Sequence, residues 1–324
     1  MQRKPMIFDC DPGNDDAVAL ILAIRSGKYD ILGITVTHGN KPLETTADNA
    51  LRLVEFLHAD IPVYAGCPAP MVCDLMPGRA QNVRAQQLHC IVDGEEITIH
   101  EEYLKLPEPK QKVQPQHACT FIVETLRAAT MPVTVVATAP LTNVAMALRM
   151  APDICAKIER IVLMGGGIYG GNRTPAAEAN FYHDPEAAQI VLHSGCPVQV
   201  YPLEATGSAM VTYEDAESLR GLSELGDWMA DMIKDYIRRT NLLKTAPEGM
   251  TPVHDAVAVA GLLDPSMLEQ VRRVQCDVDC SGGWCDGKLV VDERLSAKPT
   301  LPVDVVYRVD HDKFIEQLRR AVQI

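Results

Sequence analysis

The first apolar run of the chain ends in Asp9-Cys10-Asp11-Pro12-Gly13-Asn14-Asp15-Asp16, and an apolar helical pattern follows at once. Side chains alternate along a strand, so Asp9 and Asp11 are expected to share one face at the carboxyl end of a strand. Pro12-Gly13 predicts the turn, and Asn14 is the predicted N-cap of the next helix. The stretch therefore predicts a strand-to-helix junction crowded with acidic side chains.

This junction places four carboxylates within eight residues. A helix dipole contributes only about 0.3–1 kcal/mol per favourable charge, which is too little for a cluster this dense. A hard divalent cation with oxygen ligands explains the composition best. The alternatives are a solvated helix cap and a phosphatase-like Asp-x-Asp that uses magnesium and an aspartate nucleophile. An EF-hand is excluded, because Asn14 and Leu20 occupy the loop positions that require glycine and glutamate.

Strand and helix patterns alternate along most of the chain. This alternation predicts an α/β fold with one doubly wound, mostly parallel sheet that carries helices on both faces. Because no internal repeat or clear linker is evident, we expect one domain over residues 1–324. The pattern loosens between residues 67 and 116, and a stretch that long without periodicity is more often functional than idle.

Composition limits the partners of the protein. The formal net charge of −13 argues against nucleic acid and anionic membranes. No apolar run of about 18 residues is present, and the N-terminus lacks the apolar region of a signal peptide, so we expect a cytoplasmic protein. The ten scattered cysteines predict reduced, buried thiols, and the irregular spacing of Cys276, Cys280 and Cys285 does not favour zinc.

Ligands bind beyond the carboxyl ends of the strands in an open α/β sheet. Asp11, Asn40, Thr138 and Gly165–Gly167 each end a predicted strand, so we expect them to meet at one edge of the sheet. Residues 165–170 also match the dinucleotide fingerprint G-x-G-x-x-G, but no helical pattern begins there. The glycines therefore favour a tight turn or the close approach of a ligand to the backbone.

Three further features are ambiguous by themselves. Glu178 and Asn180 lie two positions apart, just before a helical pattern that begins at Asp184-Pro185, and they suit a surface loop as well as a site. His254-Asp255 leads an apolar helical pattern and is either a helix cap or a catalytic pair. His89 lies in the loose segment and is either a surface residue or part of a lid.

Taken together, these segments resemble the inosine-uridine preferring nucleoside hydrolase family, the nucleoside N-ribohydrolases. The family signature DxDPGxDD is matched by residues 9–16, and its Gly-Asn element by His38-Gly39-Asn40. Its TGPLTN element is matched by residues 138–143, with alanine in place of glycine. The remaining matches follow in the order of the family: Met164-Gly165-Gly166, Gly171-Asn172, Glu178-Ala179-Asn180 and His254-Asp255.

The resemblance implies a Rossmann-like fold and a calcium-dependent enzyme that splits the N-glycosidic bond of ribonucleosides into free base and ribose. In this interpretation Asp11 is the general base for the attacking water, and His254 is the acid that assists departure of the base. The implied calcium ligands are Asp11, Asp16, the backbone carbonyl of Thr138, and Asp255. The expected substrate-binding residues are Asp15, Asn40, His89, Met164, Asn172, Glu178 and Asn180.

Two departures from the family pattern lie on the base side of the expected site. Ala179 stands where the family often has an aromatic residue, and residues 88–95 match the HGxxGLG lid element only in part. The preference for purine or pyrimidine therefore stays open. The resemblance further implies a homodimer or homotetramer with a role in nucleoside salvage. The alternative function is a non-catalytic nucleoside- or ribose-binding protein with a degraded lid on the base side.

Overall fold

The computed structural model describes residues 3–76, 78–79 and 89–323. Residues 77 and 80–88 of the loose segment lie outside these ranges, and so does Leu88 of the partial lid match. Within the described part, the loose segment contains a 3₁₀ helix at Cys73–Leu75 and a two-stranded hairpin.

The strands are, in chain order, β1 (Lys4–Cys10), β2 (Tyr29–Val36), β3 (Val63–Ala65), β4 (His89–Val92), β5 (Glu95–Thr98), β6 (Val133–Ala137), β7 (Ile158–Met164), β8 (Val198–Tyr201), β9 (Val211–Thr212), β10 (Met250–Thr251), β11 (Leu268–Arg273), β12 (Gln275–Val278), β13 (Leu289–Asp292) and β14 (Val303–Val309).

The α-helices whose bounds lie within the described ranges are α1 (Asn14–Arg25), α2 (Leu43–Phe56), α3 (Ala118–Ala128), α4 (Thr142–Met150), α5 (Ala179–His183), α6 (Pro185–Leu192), α7 (Leu203–Gly207), α8 (Tyr213–Glu217), α9 (Glu224–Leu242), α10 (His254–Leu263) and α11 (His311–Val322). Two further 3₁₀ helices span Pro152–Lys157 and Pro265–Met267. Among the described residues, no helix is both long enough and apolar enough to cross a bilayer.

Eight strands form the central sheet in the order β11-β14-β8-β7-β6-β1-β2-β3. Neighbouring strands run parallel, except that the edge strand β11 is antiparallel to β14. The predicted α/β class with a mostly parallel sheet is therefore confirmed. The three small antiparallel sheets are β4-β5, β9-β10 and β12-β13.

Both faces of the central sheet are covered by apolar side chains, as the near-continuous apolar strands require. Met6 and Phe8 of β1 face the core that helices α1, α2, α9, α10 and α11 complete. Ile7, between them, faces the opposite core, which α3, α4 and α6 complete. This alternation leaves only the ends of the strands for polar side chains.

Two local predictions were wrong. Gly13, and not Asn14, is the N-cap of α1, and its backbone N–H donates to Asp16 Oδ2 at 3.2 Å. The Asp16 carboxylate, three residues further on, therefore satisfies the backbone N–H of the N-cap residue, as the N3 side chain of a capping box does. The sequence pattern of residues 213–245 predicts one continuous helical region, but the structure divides it into α8 and α9, with Gly221 at a φ of +77° between them.

The prediction that all cysteines are reduced was also wrong. Cys155 and Cys196 form a disulfide, with their Cα atoms 5.4 Å apart. Cys155 lies in the 3₁₀ helix before β7 and Cys196 lies just before β8, so the parallel pairing of these strands brings the two residues together. The other eight cysteines are free.

We expect Gly261→Ala to destabilise the fold. An added Cβ would lie 2.4 Å from the buried Tyr201 hydroxyl, and overpacking of this kind costs about 1–3 kcal/mol. At Gly207 the nearest atom would be Met210 Cε at 3.9 Å, so Gly207→Ala is the matched control. Denaturant unfolding should show a lower free energy of unfolding for the first variant only. Equal values for both variants would contradict the packing described here.

Candidate active site

The carboxyl ends of β1, β2, β6 and β7 open onto one cavity of about 540 Å³. The strand ends that the sequence analysis grouped together therefore lie at a common edge of the sheet. Eight residues with an expected role line this cavity: Asp15, Asn40, Thr138, Met164, Asn172, Asn180, His254 and Asp255.

The other expected site residues are placed differently. Asp11, Asp16 and Glu178 are at most 2% exposed and lie outside the set of residues that line the cavity. His89 is exposed at the start of β4, where it pairs with Thr98 of β5. His89 is not among the lining residues, so a substrate contact by His89 stays a prediction. The loose segment reaches the cavity through other residues: Pro68, Ala69, Pro70, Cys73, Ile99 and His100.

Asp16 is held by three neutral donors. Thr138 Oγ1 donates to Asp16 Oδ1 at 2.8 Å, while Asn40 Nδ2 and the Gly13 N–H donate to Oδ2 at 3.1 and 3.2 Å. These donors come from β1, β2 and β6 or from the turns that follow them. The carboxylate is thus fixed at the centre of the strand ends.

Asp11 is held on one side only. Its Oδ2 accepts from the Asn40 backbone N–H at 2.5 Å, and its Oδ1 is buried without a partner among the described residues. A Cβ on Gly39 would lie 2.0 Å from Asp11 Oδ2, which explains why this strand end requires glycine. The chain therefore brings its backbone against one carboxylate oxygen and leaves the other uncompensated.

Asp15, Asp16 and Asp255 bring carboxylate oxygens within 4.8 Å of one another. Asp15 Oδ1, like Asp11 Oδ1, is buried without a hydrogen-bond partner in the described part of the chain. Such oxygens are costly to bury, and a hard cation with oxygen ligands would satisfy them. This carboxylate group differs from the expected ligand set, because it contains Asp15 and does not contain Asp11. The carbonyl oxygen of Thr138, another expected ligand, accepts a hydrogen bond from Asn180 Nδ2 at 2.9 Å.

Burial is the main cause of the unusual protonation of this cluster. It raises the pKa of Asp15 to about 7 and that of Asp16 to about 6. Burial, and then the charge of Asp16, raise the pKa of Asp11 well above its usual range. Burial, and then the charge of Asp15, raise the pKa of Asp255 in the same way. Without a cation, the cluster therefore holds protons near neutral pH.

Asp9 of β1 is buried beside the cluster and is held by two hydrogen bonds. Its Oδ1 accepts from Thr35 Oγ1 at 2.6 Å and from Asn143 Nδ2 at 2.8 Å. Burial raises the pKa of Asp9 to about 7, although both hydrogen bonds oppose the shift. These contacts join Asp9 of β1 to Thr35 of β2 and to Asn143 of α4.

Glu178 has a structural position that sequence reasoning did not foresee. It is the N-cap of α5, and its carboxylate accepts from the backbone N–H groups of Asn180, Gly166 and Phe181 at 2.8–3.2 Å. A Cβ on Gly165 would lie 2.6 Å from the Phe181 ring. The glycines after β7 thus allow close packing of α5, and no helix follows them directly as the dinucleotide fingerprint requires.

Asn180 joins two strand ends. Its Nδ2 donates to the carbonyl oxygens of Thr138 and Met164 at 2.9 and 3.1 Å. Asn172 Oδ1 accepts from the Ala179 N–H at 3.0 Å. Both asparagines are therefore fixed at the wall of the cavity by one of their amide atoms.

His254 begins α10 and faces the cavity beside Asp255. Its Nδ1 lies 2.7 Å from Thr206 Oγ1, the shortest contact of that hydroxyl. Burial lowers the pKa of His254 to about 4, so the imidazole is neutral at pH 7. A neutral imidazole with a fixed tautomer can donate one hydrogen bond to a substrate.

Sequence reasoning missed His100 and Tyr236 at the same end of the cavity. His100 Nδ1 accepts from the Asn14 N–H at 3.2 Å, and its ring stacks on Tyr236 with centroids 5.6 Å apart. Burial, and then the charge of Lys41, lower the pKa of His100 to about 3. A Cβ on Gly13 would lie 2.5 Å from His100 Nδ1, so the close approach of this ring requires glycine at position 13.

Arg239 of α9 fixes the segment that carries His100. Its guanidinium donates to the Thr98 carbonyl at 3.2 Å and to Glu101 Oε1 at 2.6 Å. The side chain is 7% exposed and also bonds Asp235 one turn earlier on α9. The hairpin segment and α9 are thereby joined into one wall of the cavity.

Two more histidines, also missed, line the cavity. His38 and His183 have ring centroids 6.4 Å apart. His38 Nε2 lies 3.2 Å from Thr142 Oγ1, whereas His183 Nδ1 is buried without a partner among the described residues. The lining of this cavity thus includes four histidines: His38, His100, His183 and His254.

The fold and this acidic cavity define a nucleoside hydrolase. The model of the inosine-uridine preferring nucleoside hydrolase family matches residues 6–316. The chain belongs to this family and is a hydrolase that acts on N-glycosyl bonds. The resemblance that we inferred from the sequence motifs is confirmed.

Individual relatives agree with the family assignment. The pyrimidine-specific ribonucleoside hydrolase RihA of Escherichia coli O7:K1 is 37% identical over 321 residues, and the match covers 98% of each chain. The structure of a purine-preferring ribonucleoside hydrolase from Gardnerella vaginalis matches with a TM-score of 0.85 and 30% identity, over 99% of this chain and 98% of that one. The plant nucleoside hydrolase PpNRh1 matches with a TM-score of 0.84 and 27% identity, over 99% of each chain.

We expect the metal-free protein to lose stability as pH rises from about 4 to 7. The folded-state pKa values of Asp9, Asp15 and Asp16 lie above the ordinary value of 3.8, so the folded protein retains protons in this window that the unfolded chain has released. An oxygen-preferring cation such as calcium should reverse the trend, because a cation held by this cluster would favour the ionised carboxylates over the protonated ones.

Thermal unfolding after chelator treatment, with and without calcium chloride, measures this effect. The increase in Tm on adding calcium should be larger at pH 8 than at pH 5, and sodium chloride at matched ionic strength is the control for screening. An equal increase at both pH values would contradict a cation site made of these carboxylates.

Proposed function

We propose that the protein is a calcium-dependent ribonucleoside hydrolase that releases free base and ribose. The observation that carries the proposal is the buried, oxygen-only group of Asp15, Asp16 and Asp255 at a cavity that His254 also lines. Family membership supports the reaction class. The donor set supports calcium, because hard cations prefer carboxylate and carbonyl oxygens.

The proposed ligands are the carboxylates of Asp11, Asp16 and Asp255 and the carbonyl oxygen of Thr138, with Asp15 beside them for the ribose. Calcium takes about six to eight oxygen ligands, so the diol of a ribose could complete its shell. When bound, the ion would orient the diol and lower the pKa of the attacking water.

Asp11 is the proposed general base. Its Oδ1 has no partner in the described part of the chain, so it is available to accept a proton from water. Burial also makes this carboxylate more basic than an exposed one, which brings its pKa closer to the working pH. As the glycosidic bond breaks, the ring gains oxocarbenium character, and the neighbouring carboxylates stabilise that positive charge.

His254 is proposed to assist the leaving base. If the Thr206 hydroxyl donates to Nδ1 over the 2.7 Å contact, the proton of the neutral ring resides on Nε2. That N–H could then donate to a base nitrogen or oxygen that gains negative charge. General acid assistance of this kind is worth about 10²–10⁴-fold in rate.

The ring geometry of ribose orients the substrate in the cavity. The substituents on C1′ and C4′ leave the ring in opposite directions when the diol edge faces the acidic group. We therefore propose that the base lies between His254, Tyr236 and His100, and that the 5′ end points towards Asn172 and His183. Asn40, Met164, Glu178 and Asn180 remain the proposed ribose contacts or their supports.

Several further proposals rest on the family resemblance. They are one domain over residues 1–324, a homodimer or homotetramer, and a role in nucleoside salvage in the cytoplasm. The lid role of the loose segment has support from one observation, since His100 of this segment lines the cavity.

A reducing-sugar assay with uridine, cytidine, inosine and adenosine in calcium tests the proposed reaction. We expect cleavage, with pyrimidine ribonucleosides preferred, because the RihA relative at 37% identity is named for that specificity. Asp11→Asn should lower kcat by at least about 10²-fold, whereas Asp30→Asn at an exposed position should not change it.

Two outcomes would overturn the proposal. Stabilisation of the protein by nucleosides without product would favour the non-catalytic binding protein. Near-normal kcat in the Asp11 variant would remove Asp11 as the base. We also expect poor turnover of 2′-deoxyuridine in the reducing-sugar assay, because this substrate lacks one oxygen of the diol.

We expect His254→Ala to slow uridine more than p-nitrophenyl riboside, whose leaving group barely needs a proton. The Thr206→Val variant, which keeps the shape but loses the hydroxyl, should show the same selectivity to a smaller extent. The ratio of kcat values for the two substrates measures the effect. Equal slowing of both substrates by His254→Ala would mean that His254 is structural or binds ribose.

A further inference from the structure

A second cluster of metal-ligating side chains lies where the end of β3 meets the start of α3. Cys67 follows β3, His117 is the N-cap of α3, and Cys119 lies in the first turn of that helix. The ligand atoms of these three residues all lie within 4.8 Å of one another. The two sulfurs are 3.8 Å apart, and both cysteines are free.

The cluster has one buried ligand and two ligands that solvent can reach. Cys119 is 3% exposed, Cys67 is half-buried and His117 is exposed. An ion could therefore arrive from solvent at His117 and Cys67 and meet a buried third ligand. One buried and one half-buried thiol beside an exposed histidine form an arrangement that packing alone does not require.

The backbone of Cys67 is held on both sides. Its N–H donates to Asn143 Oδ1 at 2.9 Å, and its carbonyl accepts from Thr37 Oγ1 at 3.0 Å and from the His38 N–H at 3.2 Å. Cys119 is fixed by its helix. The two sulfurs are thus positioned by different elements and do not depend on a mobile side chain to meet.

We propose that Cys67, His117 and Cys119 form a second metal site, which binds a thiophilic divalent ion of the zinc class. Two thiolates and an imidazole select such ions over calcium and magnesium, which prefer oxygen. Three protein ligands leave one tetrahedral position for water. This site is chemically distinct from the oxygen-only group of the cavity, and its occupancy does not depend on the proposed hydrolase reaction.

Binding is a balanced exchange of protons for a metal ion. Two S–H bonds break, two sulfur–metal bonds form, and two protons go to solvent, so the divalent charge is neutralised by the thiolates. His117 Nδ1 now accepts from the Cys119 N–H at 3.2 Å. Coordination through Nδ1 would exchange this cap bond for a nitrogen–metal bond.

One residue links the cluster to the acidic cavity. The Cys119 thiol contacts the Asn143 carbonyl oxygen at 3.6 Å and Asn143 Oδ1 at 3.8 Å. Asn143 Nδ2 in turn donates to Asp9 Oδ1 at 2.8 Å. An ion bound by the thiolates would therefore lie one side chain away from the carboxylate that supports the calcium ligands.

Cobalt titration of the full chain tests the site. The reduced protein, with calcium present to occupy the cavity, is titrated with Co²⁺ under a phosphine reductant. We expect one Co²⁺ per chain with sulfur-to-cobalt charge-transfer absorption, release of two protons, and loss of the absorption when Zn²⁺ is added. Zn²⁺ should also protect two thiols from a thiol-modifying reagent.

Matched variants assign the ligands. Cys67→Ser and Cys119→Ser should each reduce the charge-transfer absorption, and His117→Ala should weaken Co²⁺ binding by at least about tenfold, since even an outer partner of a metal ligand is worth that much. Cys285→Ser, which removes an exposed free thiol, should change nothing. Circular dichroism and thermal unfolding identify any variant that fails to fold.

Three results would overturn the proposal. They are absence of the charge-transfer absorption in the folded native protein, its survival in the Cys67→Ser/Cys119→Ser double variant, and equal thiol protection with and without Zn²⁺. A Cys67–Cys119 disulfide in non-reduced peptide maps, together with no Co²⁺ binding after reduction, would identify a redox pair in place of a metal site.

Discussion

The structure depends on the burial of several carboxylates at one end of β1. Burial and mutual repulsion both oppose their ionisation, so the surrounding chain must supply donors or a cation. Thr138, Asn40 and the Gly13 N–H come from three different segments to meet Asp16 alone. The uncompensated oxygens of Asp11 and Asp15 then define where a cation would be held. The fold therefore brings together, from several segments, the groups that make the burial of these carboxylates possible.

Much of this arrangement could be predicted, because it follows from local patterns. The alternation of strands and helices predicted the sheet, and the strand-end rule grouped Asp11, Asn40 and Thr138 before any contact was known. His100 could not be found in this way, since its position depends on a hairpin that lies within the loose segment and on contacts with α9. Glu178 shows the opposite case, in which the motif was recognised but the helix-capping contacts of its carboxylate are visible only in three dimensions.

The chain separates two kinds of donor chemistry by a short distance. Oxygen ligands are concentrated at the strand ends, and sulfur ligands lie behind them at the start of α3. Asn143 lies between the two groups and contacts both, through Asp9 on one side and Cys119 on the other. Hard and soft cations would therefore be sorted by ligand type and not by size alone.

Arg239 couples two walls of the cavity that are far apart in sequence. Its guanidinium hydrogen-bonds the Thr98 carbonyl, Glu101 and Asp235. These bonds join the segment that carries His100 to the helix that carries Tyr236, so they help to fix the stacking of the two rings. In the proposed substrate orientation, the nucleobase would lie beside this stacked pair of His100 and Tyr236. Discrimination among bases would then depend on the size of the base and on the hydrogen-bonding groups along its edge.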